Sequence, residues 1–389
     1  MMADAVAPKE CQPLLGNTYD STTTAAPTGG GSNDEELAVG LSEDEATTTI
    51  VADAIDILKI GIPIFISSIS WVGKKTTDTA LLGHLSSPDA LAASALSDLW
   101  TMTTSVLLTG RILQVLIGGA VGSGNPKLGG IYLQVSYVVL FSISIVVIVA
   151  WNCTEYVWHT LLGRDPLISK MAGDYARTLS FAIPATILFG QLSQFFSAQQ
   201  IMYPEVKAST IGLTTNLVFG LVFVLGWPIP NFQGYGFNAC PIVTVVTTYI
   251  QLLFLVFVYI YCLQLHTACW PVQGFQWKEI TWTRIRTFSE LYFPAALSSA
   301  SDFWRVGVIG IIAAELGEPQ VAIFNTAYRI MWIALIFNSA IVAAASIDMN
   351  IRFGRMDPYG AKQVLYSRIK KIEDDRSYGM ILYIYCFYF

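Results

Sequence analysis

The sequence predicts an all-α polytopic membrane protein, and three observations carry that prediction. Of 389 residues, 53% are hydrophobic and only 13% are charged, where an ordinary soluble domain carries about 25%. Mean hydropathy is +0.53. Three stretches lack Asp, Glu, Lys and Arg altogether: the 70 residues between Lys207 and Lys278, and 27 residues each in Leu128–Thr154 and Thr178–Pro204. A helix needs about 20 apolar residues to cross a bilayer core of about 30 Å. This composition excludes a soluble enzyme, a disulfide-knit secreted domain and a nucleic-acid binder.

Residues 1–54 read as a disordered acidic tail. The first 50 residues hold nine acids and one base, with Gly29-Gly30-Gly31 among them. They cannot bury enough apolar surface to offset chain entropy. No basic segment followed by an apolar one begins the chain, so no cleaved signal is expected and the first span acts as the anchor. Glu10-Cys-Gln-Pro-Leu14-Leu15 is similar to an acidic dileucine sorting signal; plain linker is the other reading.

Eight spans follow, at roughly 57–82, 90–118, 129–151, 171–193, 205–227, 238–262, 288–314 and 320–347. The final apolar run, Met380–Phe389, is too short to cross. With the N-terminus in the cytosol, the short inner loops carry Lys127, Lys207, Lys278, Arg284 and Arg286, and seven more bases follow span eight. The outer loops then carry Arg164 and Lys170 alone, which is the asymmetry the positive-inside rule demands. The six cysteines show neither CxxC nor metal spacing and read as small apolar fillers.

The chain repeats itself. IPIFISSISW (62–71) aligns with FPAALSSASD (293–302) at an offset of 231, pairing Pro63 with Pro294 and three serines with three serines. LSSP ending at Pro88 pairs with LGEP ending at Pro319 at the same offset, and GSGNP ending at Pro126 with GRMDP ending at Pro358 at 232. Six spans separate the copies, so both lie the same way up, as in the parallel repeats of some secondary transporters. A full second half would need six spans. The chain holds two of them and then runs SYGMILYIYCFYF, so it reads as a truncated product or a faulty gene model, with a complete eight-helix protein as the alternative.

Ionisable residues at bilayer depth cost at least about 2.5–3.5 kcal/mol each and are functional candidates by default. Asp78 follows Lys74 and Lys75 in span one. Lys74 and Asp78 share a helix face at i, i+4, so a local ion pair and a titratable carboxylate are both open readings. Asp302 in span seven is flanked by Phe303, Trp304 and Arg305, and either pairs with Arg305 or exchanges protons. Asp98, Arg111 and Arg329 read as packing or network residues. Gln191, Gln194, Gln199, Gln200, Asn216 and Asn338 are polar at depth, either helix–helix hydrogen-bonding groups or ligand groups. Aromatic residues such as Trp304 suit flat organic cations through cation–π attraction. No P-loop, HExxH or GxSxG motif is present and the three histidines are isolated, so neither an enzyme nor a cofactor or metal requirement is expected.

Four segments resemble the multidrug and toxic compound extrusion (MATE) transporters over about residues 55–365. They are DTALLGHLSSPDALAASAL (78–96), GGAVGSGNPKLGGIYLQVS (118–136), FFSAQQIMYP (195–204) and FPAALSSASDFW (293–304). The resemblance implies a two-lobe fold of twelve spans, about eight of them present here. The N-lobe is then 55–265, a cytosolic inter-lobe loop 266–287, a partial C-lobe 288–365 and an aberrant tail 366–389. It implies export of organic cations, xenobiotics or metabolites from a plasma or vacuolar membrane, coupled to protons or sodium. Asp78 and Asn216 match the family's N-lobe cation site and Asp302 its C-lobe acid. Gln194, Trp304 and Asn338 are candidates for the substrate cavity.

There are departures. Gly220 and Gly307 stand where the family has further acids, Gln114 and Gly119 where Asp and Gln are common, and the two lysines of span one are unusual. With a second carboxylate missing at each site, protons are favoured over sodium. A lipid-linked oligosaccharide flippase, sharing the scaffold but wanting a basic cavity, and a non-transporting fragment are the rival readings.

Overall fold

The computed structural model describes residues 43–357 except 86, 162, 164, 268, 271–273 and 317; the side chains of 43–57, Pro88, Asp302 and most of 306–334 also fall outside the description. The dileucine-like segment, Pro358, the tail from 366, and the side chains of Asp302, Gly307 and Arg329 therefore lie outside the described residues. Within them the chain is helical throughout, with no strand.

Helix α1 runs Glu43–Gly83, so it starts inside the segment expected to be a disordered tail. The next helix, α2 (Pro88–Ser105), starts where LSSP places it: Ser87 caps it by accepting the Ala90 N–H at 3.3 Å, and Pro88 takes the first position. After a 3-10 turn at Val106–Leu108 the same span resumes as α3 (Ile112–Gly122). Span two is thus unwound in its middle, where a continuous 90–118 was expected. Helix α4 (Pro126–Asn152) is span three. Span four is also in two pieces, α5 (Pro166–Ser180) and α6 (Ile183–Ser197), bent by 49°. Pro184 has no N–H for the preceding turn, and the Phe181 carbonyl at the bend accepts from the Tyr249 hydroxyl at 3.1 Å.

Helices α7 (Tyr203–Phe219) and α8 (Ala239–Leu255) each finish in a π-helical turn, Gly220–Val224 and Val256–Cys262. The long helices α9 (Trp282–Leu316) and α10 (Glu318–Gly354) complete the described chain. Among the described residues four segments are long and apolar enough to cross a membrane: Asp89–Gly122, Pro126–Asn152, Tyr203–Val224 and Gly236–Cys262; the bent α5–α6 pair makes a fifth.

Residues Ile57–Leu365 form one compact unit. In it α2 packs on α5, α4 on α3 and α6, α7 on α8, and α10 on α3 and α9. The main apolar core lies among α3, α4, α6 and α8, with Leu113, Ile117, Leu140, Phe195 and Phe196 fully enclosed. A second core joins α1 to α10 through Ile64, Ala340, Ala344 and Ile347. There the backbones meet at small residues: a Cβ on Gly61 would lie 3.7 Å from the Ala340 carbonyl oxygen.

The repeat is visible in the helices. Pro63 lies inside α1 and Pro294 inside α9, and α3 ends at Gly122 as α10 ends at Gly354, 232 residues on. These two equivalent glycines touch. A Cβ on Gly122 would lie 2.9 Å from the Gly354 Cα, and a Cβ on Gly354 would lie 2.9 Å from the Gly122 Cα. Positions that the sequence repeat makes equivalent therefore meet at this crossing. Within the described residues α10 is continuous where span two is broken.

Candidate functional site

Three helices bring one polar stripe each to a common interior. On α8, Cys240, Thr244, Thr247 and Gln251 fall at spacings of 4, 3 and 4, which is one face of a helix. On α7, Ser209, Gly212, Asn216 and Gly220 do the same and all four are buried. On α1, Lys74, Lys75 and Asp78 occupy one turn.

Asp78 is only 3% exposed. Its carboxylate accepts from the Asn216 amide at 3.1 Å and from the Thr244 hydroxyl at 2.9 Å. Both donors are neutral. The local Lys74–Asp78 ion pair left open by the sequence is not formed among the described residues. Lys74 instead donates to Gln251 Oε1 at 2.7 Å, and Gln251 donates onward to Ser209 at 3.4 Å. Gly212 makes room for this, since a Cβ there would stand 2.6 Å from Gln251 Oε1. Lys75 pairs with Asp98 of α2 at 2.8 Å. Asp98, read from sequence as a network residue, is thus the partner of a lysine. Asn216 is fully enclosed, and its Oδ1 has no hydrogen-bond partner.

Gly220, the position where an acid would have completed a carboxylate pair, is filled from the other side. A Cβ there would collide with Leu81 Cδ1, so α1 covers α7 at this point with an apolar side chain. Among the described residues Asp78 is the one carboxylate bonded to Asn216. Among the described residues no group of three or more His, Cys, Asp or Glu could hold a metal ion.

The break in span two forms a second polar locus. Unwinding frees backbone groups, which in an apolar setting must find partners elsewhere. Tyr292 of α9, 1% exposed, supplies two: its hydroxyl donates to the Leu107 carbonyl at 3.0 Å and accepts from the Gly110 N–H at 3.2 Å. Gln194 Nε2 donates to the Gly110 carbonyl at 3.2 Å, and Trp304 Nε1 to the Thr103 carbonyl at 3.2 Å. Gln194 and Trp304, both substrate-cavity candidates by sequence, therefore meet span two from opposite helices. Asn338 is half-buried on α10, and Asp302 is on α9 with its side chain undescribed. Tyr292 carried no sequence signal, because its role depends on a break that no proline marks.

Residues 63–222 match the family model described as MatE. The chain is 26% identical over 315 residues to the multidrug resistance protein NorM of Vibrio cholerae, covering 79% of this chain and 66% of NorM. It is 26% identical over 285 residues to Protein DETOXIFICATION 18 of Arabidopsis thaliana, covering 72% and 58%. The fold matches the crystal structure of the eukaryotic MATE transporter AtDTX14 with a TM-score of 0.71 at 18% identity, over 82% of this chain and 69% of that one. The chain thus spans about two thirds or less of the length of these relatives.

Proposed function

The chain belongs to the MATE family, and from that premise we propose that it acts in the export of organic cations or amphipathic metabolites, in exchange for protons taken up at Asp78. The observation that carries this reading is the environment of Asp78: a carboxylate 3% exposed whose hydrogen-bond donors are both uncharged. A carboxylate locked to a lysine would keep its charge. One held by an amide and a hydroxyl can give it up, because both partners work in either state.

Thr244 has a second acceptor for its proton, the Cys240 carbonyl at 3.2 Å. When Asp78 takes a proton, the Thr244 hydroxyl turns to Cys240 and its oxygen accepts from the new acid. With the proton on the oxygen that faces Thr244, the other carboxyl oxygen goes on accepting from the Asn216 amide. No polar group is stranded by the change, so the proton can be exchanged without a heavy unpaired-group penalty. A cation drawn to the ionised form and a proton compete for the same oxygen atoms, and each must weaken the other's binding by the same factor.

The exchanged ion is read as a proton because Leu81 occupies the space of a second carboxylate. The inner-loop bases support a cytosolic N-terminus, and a plasma or vacuolar membrane fits the eukaryotic character of the tail. Asp302 is carried as the second coupling acid.

The test is efflux from proteoliposomes. Ethidium transport driven by an imposed pH gradient is compared for the unmodified chain, Asp78→Asn and Asp302→Asn. Loss of pH-driven transport in Asp78→Asn is the expected result, and unchanged transport would sink the role of Asp78.

A further inference from the structure

The two lysines beside Asp78 play no part in the proton step just described. Lys75 lies one turn before Asp78 on α1, and its ammonium meets the Asp98 carboxylate at 2.8 Å, with both side chains about a quarter exposed (27% and 24%). Lys75, Asp98 and Lys74 lie within electrostatic reach of Asp78, as does the buried Cys240 thiol. Two ammonium groups therefore balance two carboxylates. Around Asp78 the oxygen atoms at hand are its own carboxylate and Thr244 Oγ1 at 2.9 Å; the Asn216 amide nitrogen faces the carboxylate, and a turn of that amide would bring its enclosed, unpartnered Oδ1 to the same place. Hard oxygen donors with an orphan carbonyl are what a small hard cation takes. The atoms for a sodium ion are present; the uncompensated negative charge is not.

We propose that Lys75, supported by Lys74, is a resident cation that takes the place of a metal ion beside Asp78 and Asp98, and so makes the site indifferent to sodium. The inference deepens the reading of Asp78 as the coupling carboxylate and rests on it. It makes Lys75 a specificity-determining residue. Removing its charge leaves two carboxylates against one ammonium, and the oxygen cluster then becomes a sodium site.

The experiment is thermal unfolding of the purified full chain in detergent, in sodium chloride and in choline chloride of equal ionic strength. The unmodified chain and Lys75→Arg are expected to show the same midpoint in both salts. Lys75→Gln is expected to gain a stabilisation that rises with sodium concentration, as it does for any ligand that binds only the folded state. Adding Asp78→Asn to Lys75→Gln should abolish that gain. Should Lys75→Gln fail to fold with Asp98 unpaired, the triple variant Lys74→Gln/Lys75→Gln/Asp98→Asn makes the test, since it removes the Lys75–Asp98 pair together and leaves Asp78 as an uncompensated carboxylate. Sodium stabilisation of the unmodified chain, or sodium indifference of whichever lysine variant folds, would overturn the inference. The readout is separate from transport. Loss of pH-driven efflux in Asp78→Asn beside a sodium-indifferent lysine variant removes this inference alone, while efflux driven by sodium and not by pH removes the functional reading beneath it.

Discussion

Gly122 and Gly354 pack backbone to backbone where α3 crosses α10, each so close that a Cβ on either would stand 2.9 Å from the other's Cα. The contact is self-complementary, and it joins the end of the second span to the end of the eighth. No flexible side chain is present there to yield. Gly122→Val and Gly354→Val should therefore each push the helices apart and lower the thermal unfolding midpoint in detergent, with a cost at or above the usual overpacking range of about 1–3 kcal/mol. Gly83→Ala, at a glycine with open space around its Cβ direction, serves as the comparison and should cost far less.

Tyr292→Phe keeps the ring and removes one oxygen. That oxygen satisfies both the Leu107 carbonyl and the Gly110 N–H. The buried Gly110 N–H and the part-buried Leu107 carbonyl lose their partner, at about 1–3 kcal/mol for the buried group and less for the other. Hydrogen exchange at 106–111 should rise relative to that of α4, and the unfolding midpoint should fall. Unaltered exchange at the break would show that Tyr292 does not hold it.

At Gly220 the obstacle is the tip of a leucine rather than backbone. Gly220→Ala should destabilise by about 1–3 kcal/mol through overpacking, and Leu81→Ala should recover part of the loss when combined with it. A double-mutant cycle on thermal stability measures the coupling. Additive effects would mean that Leu81 does not occupy this space.

Orientation can be read from the cysteines, in variants carrying one each. Cys153 and Cys262 are exposed at opposite ends of the spans; Cys269 is buried, with its thiol donating to Gln199 at 3.0 Å. With the N-terminus in the cytosol, an impermeant maleimide should label Cys153 in sealed cells and Cys262 only after permeabilisation. Burial pushes the Cys269 thiol up to about 11. The thiolate is the reactive form, so Cys269 should label slowly at neutral pH and about tenfold faster per pH unit until its thiol titrates. The reverse pattern of access would invert the topology.

Much of the fold was legible because it is written in one dimension. Charge-free runs gave the spans, and the paired prolines at 63 and 294 gave the repeat. Asp78 and Asn216 stood out as polar groups at depth. What the sequence could not show was how the charges pair. Lys74 shares a face with Asp78, yet its long stem carries the ammonium to Gln251 on α8, while Lys75 reaches Asp98 on α2. Such choices follow from which helices are neighbours. The break in span two was hidden for the same reason. Its partners, Gln194, Tyr292 and Trp304, lie 84 to 201 residues away along the chain.

The central claim is that Asp78 changes protonation state and that a cationic substrate displaces its proton. Infrared difference spectroscopy of the purified chain between alkaline and acidic pH measures this directly. The account expects a neutral carboxylic-acid carbonyl band to appear on acidification, to be missing in Asp78→Asn, and to diminish when ethidium is added at acidic pH. A band that persists in Asp78→Asn, or one that ethidium leaves unchanged, would contradict it.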